Sequence, residues 1–203
     1  MTTMAPENLL PLDETAQDLL FREARTANSF TAEPVTDEQL RAIYDLVKWA
    51  PTAMNAQPLR VVAVRSPEAR ERLVPLMAEG NRAKVAAAPL TLIVAADEDF
   101  HEHLPTTFPH REGVREAMAA NPGRPAMARF NASIQLGYLI VGIRAAGLAA
   151  GPMAGFDAAA VEREFLGDGA LRAIAVVNVG KPGPDAFFAR NPRLGYEQVV
   201  TTV

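Results

Sequence analysis

Helices and strands mixed within one globular domain are what this sequence predicts, and three observations carry the expectation. The chain has 203 residues, of which 49% are apolar, enough to bury a core in one domain without disulfides. Its apolar residues follow two periods, one of three to four residues and one of continuous or alternating runs, which separates helices from strands. No internal repeat and no linker divides the chain.

Residues 1–13 mix Pro with acidic residues, lack a basic start or a long apolar run, and read as a mobile N-terminal leader rather than a secretory signal. The single domain is expected over 14–203. Glu14 to Ala24 is helical in pattern, with Leu19, Leu20 and Phe21 as its apolar patch, and Arg25 to Phe30 turns into the next helix. From Thr36 to Trp49 the pattern is amphipathic: Thr36 caps the helix, Gln39 stands at the reciprocal capping position, and Leu40, Ile43, Tyr44 and Val47 share one face. Pro51 stops it. Pro51 and Pro58 hold Pro51 to Gln57 extended, and Leu59 to Val64 resumes as a strand.

Ser66 followed by Pro67 opens a helix to Met77, because Pro suits the first helical position. A short helix over Asn81 to Ala87 leads to Leu90 to Ala96, a continuous apolar run typical of a strand covered on both faces. Asp97 to Arg124 has little periodicity and reads as a lid. Pro125 then opens a helix to about Ala146, rich in Gly and Ala, the central helix of the fold. Gly151 to Phe156 is a tight connector, Asp157 caps a helix ending near Phe165, and Leu171 to Val179 alternates as a third strand. The tail from Arg190 to Val203 ends in β-branched residues and is expected to be a final strand.

Composition narrows the chemistry. The formal net charge is −4 and the Lys and Arg residues are scattered, so nucleic acid and anionic membrane surfaces are not expected partners. Val85 to Ala96 is too short for a membrane span and is broken by Pro89, while Asn131 to Ala150 contains Gln135 and Arg144; both read as buried core. The chain has no cysteine, which removes thiolate nucleophiles and fits a cytoplasmic location. Neither G-x-G-x-x-G after a strand nor a P-loop occurs, and Ser29, Ser66 and Ser133 lie in no nucleophile elbow. His101, Glu102, His103 and His110 are close together, but they lack H-E-x-x-H spacing and suit a solvated lid better than a metal, so no metal ligand is assigned. An enzyme with such side chains borrows its reactivity from a cofactor.

The stretch Trp49-Ala50-Pro51-Thr52-Ala53-Met54-Asn55-Ala56-Gln57-Pro58 sets two amides and a hydroxyl between a helix and a strand. Two readings stand for it. Amides offer both donors and acceptors, as the polar edge of a flavin, nicotinamide or base requires; equally, they serve a turn that satisfies its own backbone.

Four separated segments, in order and spacing, resemble the FMN-dependent nitroreductase family: Arg25-Thr26-Ala27-Asn28, Ala50-Pro51-Thr52 through Gln57-Pro58, Asn81-Arg82-Ala83-Lys84, and Gly151-Pro152-Met153-Ala154-Gly155-Phe156-Asp157. Arg193-Leu194 falls where the family places its last phosphate contact. In combination, Ala24-Arg25-Thr26-Ala27-Asn28, Trp49-Ala50-Pro51-Thr52, the lid from Leu104-Pro105 to Phe108-Pro109-His110, and Gly151 to Phe156 are most similar to the malonic semialdehyde reductase branch. The resemblance implies an α+β, nitroreductase-like fold with a central mixed sheet flanked by helices. It further implies an intertwined homodimer with C-terminal strand exchange, and FMN at the subunit interface.

Roles follow from the same resemblance. Arg25 and Arg193 are the expected phosphate ligands, Thr26 adds a hydroxyl, Asn28 meets phosphate or ribityl, and Arg190 is a second cation. The chain departs from many relatives in having Asn28 and Asn191 where they carry cations. Pro51, Thr52, Ala53 and Asn55 are expected to line the ring and ribityl from the neighbouring subunit, and Asn81 and Lys84 to face the ribityl and the N1 and O2 side. Pro152, Met153, Ala154 and Gly155 lie along the ring, with Gly155 offering its amide toward N5 and O4; many relatives have Glu in place of Ala154.

The implied activity is ping-pong hydride transfer from NADPH or NADH to a small aldehyde such as malonic semialdehyde, giving 3-hydroxypropionate. No protein residue is expected to be catalytic in its own right, although His110, Arg111 or water could protonate the product, and Phe100, Phe108 and Met118 are expected to shape the acceptor pocket. The alternatives are a nitroarene or quinone reductase and a non-catalytic flavin carrier or sensor.

Overall fold

A computed structural model describes residues 10–203. The expected leader therefore lies outside the described residues except for its last four, of which Asp13 caps the first helix, its carboxylate accepting from Ala16 N–H at 2.8 Å. That helix, α1 (Glu14–Gln17), continues as a π-helical turn over Asp18–Arg22. Helix α2 (Asp37–Val47) begins in the expected reciprocal cap: Gln39 N–H donates to Thr36 Oγ1 at 3.2 Å and Thr36 N–H to Gln39 Oε1 at 2.9 Å. Ile43 and Val47 enter the core, but Tyr44 is 59% exposed, so it does not share their buried face as expected.

Strand β1 (Leu59–Val64) is followed by α3 (Pro67–Leu73), capped by Ser66 and extended by a 3-10 turn over Val74–Leu76, and by α4 (Glu79–Ala87). Strand β2 (Leu90–Asp97) is buried along its whole length. Segment 97–124 is not the irregular loop that its composition predicts. It forms a 3-10 turn over Phe100–His103, α5 (Leu104–Thr107) and α6 (Val114–Ala119). Helix α7 (Arg124–Ala145), strand β3 (Ala149–Met153), α8 (Ala158–Val161) with its π-helical extension Glu162–Leu166, strand β4 (Leu171–Gly180) and α9 (Tyr196–Val199) complete the chain.

The sheet order is β1-β2-β4-β3 and every neighbouring pair is antiparallel. The expected α+β architecture is present, but within one chain the sheet is antiparallel rather than mixed. Two local expectations are corrected with it. Gly151 to Met153 is not a connector, because Gly151, Pro152 and Met153 pair with Asn178, Val177 and Val176. The tail does not form a strand in the single chain: residues 190–195 lack regular structure and Tyr196–Val199 makes one helical turn, exposed throughout. A terminal strand needs a free sheet edge, and neither edge of this chain's own sheet receives it.

One face of the sheet, through Leu92, Val94, Val177 and Val179, packs on α2 and α7. The opposite face, through Ile93 and Val176, packs on α3, α4 and α8. Phe100, Leu104, Val114 and Met118 from segment 97–124 close on Ala128 and Ala132 of α7 as a separate cluster. Phe100 and Met118 are thus core residues rather than pocket walls; Phe108 is half-buried, its ring 4.0 Å from that of His110. Among the described residues no helix is long and apolar enough to cross a membrane.

Candidate functional site

Residues separated by most of the chain meet where the segment after α1 runs beside β3. Ala27 N–H donates to Ala150 O at 3.0 Å and Asn28 N–H to Ala186 O at 2.9 Å. The approach requires glycine at 151, since a Cβ there would stand 2.7 Å from the Ala27 carbonyl oxygen. Arg25, Thr26, Asn28, Arg190 and Arg193 line one hollow of about 180 Å³. Arg25 Nη1 donates to Phe188 O at 3.2 Å, Arg190 to Arg22 O, and Arg193 Nη1 to Asn191 O at 2.9 Å. Their hydrogen bonds are to carbonyls, and the nearest carboxylate, Glu23, is 3.9 Å from Arg25. Three guanidinium groups and a hydroxyl, with no acid in the lining, are a donor set of the charge that a phosphate dianion would need.

A second hollow, of about 210 Å³, shares Thr26 and Asn28 with the first and adds Asn81, Lys84, Pro152 and Met153. Helix α4 supplies Asn81 and Lys84 three residues apart on one face. Asn81 Nδ2 and Ala78 N–H both donate to Gly155 O at 3.0 Å, and a Cβ at Gly155 would stand 2.8 Å from Asn81 Nδ2. Gly155 thereby docks on the start of α4, while its N–H donates to no group among the described residues. Lys84 makes no ion pair and no hydrogen bond among them either, so its charge is uncommitted at the wall of the hollow.

Sequence reasoning missed Ala27, Gly151 and one polar side chain among the residues that line this hollow. Asn178 of β4 is 1% exposed and accepts a 2.8 Å hydrogen bond from Thr91 Oγ1 of β2. The available signal was Thr91 and Asn178, each a polar residue set among apolar neighbours within a strand. Ala154, by contrast, is exposed and turns to a separate hollow of about 460 Å³, together with Arg129, Phe156 and Arg172.

Pro51, Thr52 and Asn55 line a further hollow of about 340 Å³ that shares no residue with the first two. Their stretch is not extended as expected: Ala53–Asn55 is a 3-10 turn, and Met54, Asn55 and Gln57 have φ of 57°, 48° and 46°. Buried amides of α7 hold it there. Ala53 N–H donates to Asn131 Oδ1 at 2.8 Å and Leu59 N–H to Gln135 Oε1 at 3.0 Å. Asn55 Nδ2 donates to Thr107 O at 2.8 Å, Gln57 Nε2 to Asn55 Oδ1 at 2.9 Å, and Gln57 N–H to Thr52 Oγ1 at 3.2 Å. The side-chain amides of this loop are thus engaged internally, tying it to α5. Three non-glycine residues in the left-handed region nonetheless mark a backbone held by its surroundings.

The nitroreductase family model matches residues 21–181. A Streptomyces coelicolor protein carrying the provisional name NADH dehydrogenase/NAD(P)H nitroreductase is 63% identical over 195 residues, which are 96% of this chain and 99% of the relative. A Leptothrix cholodnii protein of the same provisional name is 50% identical over 187 residues, 92% of this chain and 95% of the relative. Among solved structures, a provisionally named nitroreductase from Exiguobacterium sibiricum in complex with FMN superposes with a TM-score of 0.80 at 16% identity, over 92% of this chain and 96% of the other. The Bacillus subtilis nitroreductase ydfN, also provisionally named, gives 0.82 at 23% identity, over 94% and 100%. These two likenesses concern the fold.

Proposed function

The chain belongs to the nitroreductase family, and from that premise we propose that it is an FMN-dependent NAD(P)H oxidoreductase. The observation that carries the reading is that the two hollows share the wall residues Thr26 and Asn28, with three arginines lining one and an amide and an uncommitted lysine lining the other. Bound FMN supplies the relay of hydride from NADPH or NADH to the acceptor.

The chain's own groups bind and tune. Arg25, Arg190 and Arg193 balance the phosphate charge, with Thr26 and Asn28 beside it. Lys84 offsets negative charge developing on the pyrimidine side of the ring, and the Gly155 N–H is available for a hydrogen bond to its polar edge. Pro51, Thr52, Ala53 and Asn55, which line no part of these hollows within one chain, complete the site from the second subunit of a homodimer. The same proposal places the protein in the cytoplasm.

For the acceptor we infer a small aldehyde such as malonic semialdehyde, which is reduced to 3-hydroxypropionate. His110 and Arg111, both exposed on segment 97–124, stand ready with water as proton sources. Nitro compounds are the second reading, favoured by the names of the Streptomyces and Leptothrix relatives. The test is spectroscopic. Purified protein is expected to be yellow, to bleach with NADPH or NADH under anaerobic conditions, and to recover colour with its acceptor, ranked in a panel of aldehydes, quinones and nitroarenes. Protein that stays colourless in excess FMN overturns the proposal; flavin that binds but does not bleach marks a carrier instead.

A further inference from the structure

Asn178 lies in the middle of an apolar sheet, where an amide is costly unless its groups are paired. Its carbonyl oxygen is paired, accepting from Thr91 Oγ1 at 2.8 Å, an interaction buried on both sides. The Nδ2 donates to no group among the described residues, although only 1% of the residue is exposed. The Thr91 bond also fixes the orientation, since the hydroxyl donates to the oxygen and turns the NH₂ group away from β2. Asn178 sits opposite Gly151 in the β3–β4 ladder and lines the second hollow with Lys84, Asn81 and Thr26. This donor has no protein acceptor and is not among the fully buried unpaired atoms, so it opens on the hollow that Asn178 lines and is placed to donate to whatever fills it.

Position identifies the part of the ligand. The second hollow shares the wall residues Thr26 and Asn28 with the arginine-lined hollow, and is lined further along by Asn81 and Lys84. In FMN the ribityl chain connects phosphate to ring. We propose that Asn178, oriented by Thr91, is a flavin-binding residue whose amide donates to a ribityl oxygen. This rests on the FMN reading above and adds a contact from inside the sheet. On this proposal the sheet meets the cofactor through a side chain of β4 as well as through Pro152 and Met153 of β3, which line the same hollow.

The experiment uses the full-length protein freed of flavin, titrated with FMN and with lumiflavin, which has the ring but no ribityl chain. The double variant Thr91→Val/Asn178→Leu removes the polar pair without leaving an orphan hydroxyl, a replacement expected to be nearly neutral for folding. Its FMN dissociation constant should rise about tenfold, the loss of roughly one net hydrogen bond, while lumiflavin binding and the melting temperature of the flavin-free protein stay as in wild type. Asn178→Asp, in which Thr91 can still donate to the side chain, keeps the volume and should weaken FMN at least as much; it supplies the reading if the double variant does not fold. Unchanged FMN affinity overturns the proposal, as does equal weakening of lumiflavin, or a fall in flavin-free melting temperature that accounts for the lost affinity. Wild-type protein that binds no FMN defeats the underlying reading instead, so the two failures are distinct.

Discussion

Lys84 and Arg25 are both cations lining the proposed flavin site, yet they address different properties of the cofactor. Lys84 is half-buried with no anionic partner among the described residues, so its charge acts on whatever oxidation state the ring adopts. A charge-assisted hydrogen bond contributes about 1.5 to 3 kcal/mol, which for a two-electron couple is about 30 to 65 mV. Lys84→Ala is accordingly expected to lower the two-electron potential of bound FMN by that amount in a spectroelectrochemical titration, and an unaltered potential removes Lys84 from the tuning role. Arg25 lines the hollow proposed for the phosphate instead. Arg25→Gln should weaken FMN by about tenfold or more while leaving riboflavin, which lacks the phosphate, bound as before. Equal losses for both ligands would show that Arg25 serves the loop through its bond to Phe188 O.

At the scale of elements, α2 and α7 are joined through Gly142, where a Cβ would overlap Val47 Cγ1 and stand 3.5 Å from Ile43 Cγ2. Alanine at 142 sets two effects against each other. Helix propensity favours it by about 1 kcal/mol, and overpacking at a buried helix contact opposes it by about 1 to 3 kcal/mol. Overpacking should win, because Val47 is held within the core cluster and has little room to retreat. Urea unfolding of Gly142→Ala is expected to show a net loss, and the double variant with Val47→Ala a coupling of at least about 1 kcal/mol in its favour; additive effects would place the constraint elsewhere. What was legible in the sequence divides along the same line between local and distant causes. The caps at Thr36, Ser66 and Asp157 were readable because each acts on its own first turn. The exposure of Tyr44 was not, because it depends on where α7 crosses α2. Nor was the left-handed turn at Met54 to Gln57, which is held by Asn131, 78 residues from its partner Ala53. Of the site, the residues gathered around Thr26 and Asn28 were found through their resemblance to a family pattern. Asn178 escaped because its polarity acquires meaning only once β2, β3 and β4 lie side by side.

On the scale of the whole molecule, the single chain leaves too much apolar surface bare. Along the outer side of α7 stand Phe130, 67% exposed, then Ile134, Gly137, Tyr138 and Val141, a spacing that keeps one helical stripe facing outward. Trp49, 79% exposed, lies beyond the end of α2, and Leu194, Tyr196 and Val199 project from a tail with no sheet edge of its own. Surfaces of this kind mark an interface, and a second copy of the chain also accounts for the separation of the Pro51–Asn55 hollow from the arginine-lined hollow. On the proposed division of the site between two chains, assembly and cofactor binding would be one equilibrium, because the dimer alone would present every group of the site. Phe130→Glu places a charge in the stripe and is expected to give a monomer in size-exclusion chromatography with light scattering. That monomer should bind FMN far more weakly than wild type, although Arg25, Lys84 and Asn178 are untouched. Raising the protein concentration should restore dimer and flavin together, with the two curves coinciding. A variant that is monomeric yet retains wild-type FMN affinity would mean that one chain holds the cofactor alone, and the loop at Pro51 to Asn55 would then need another role.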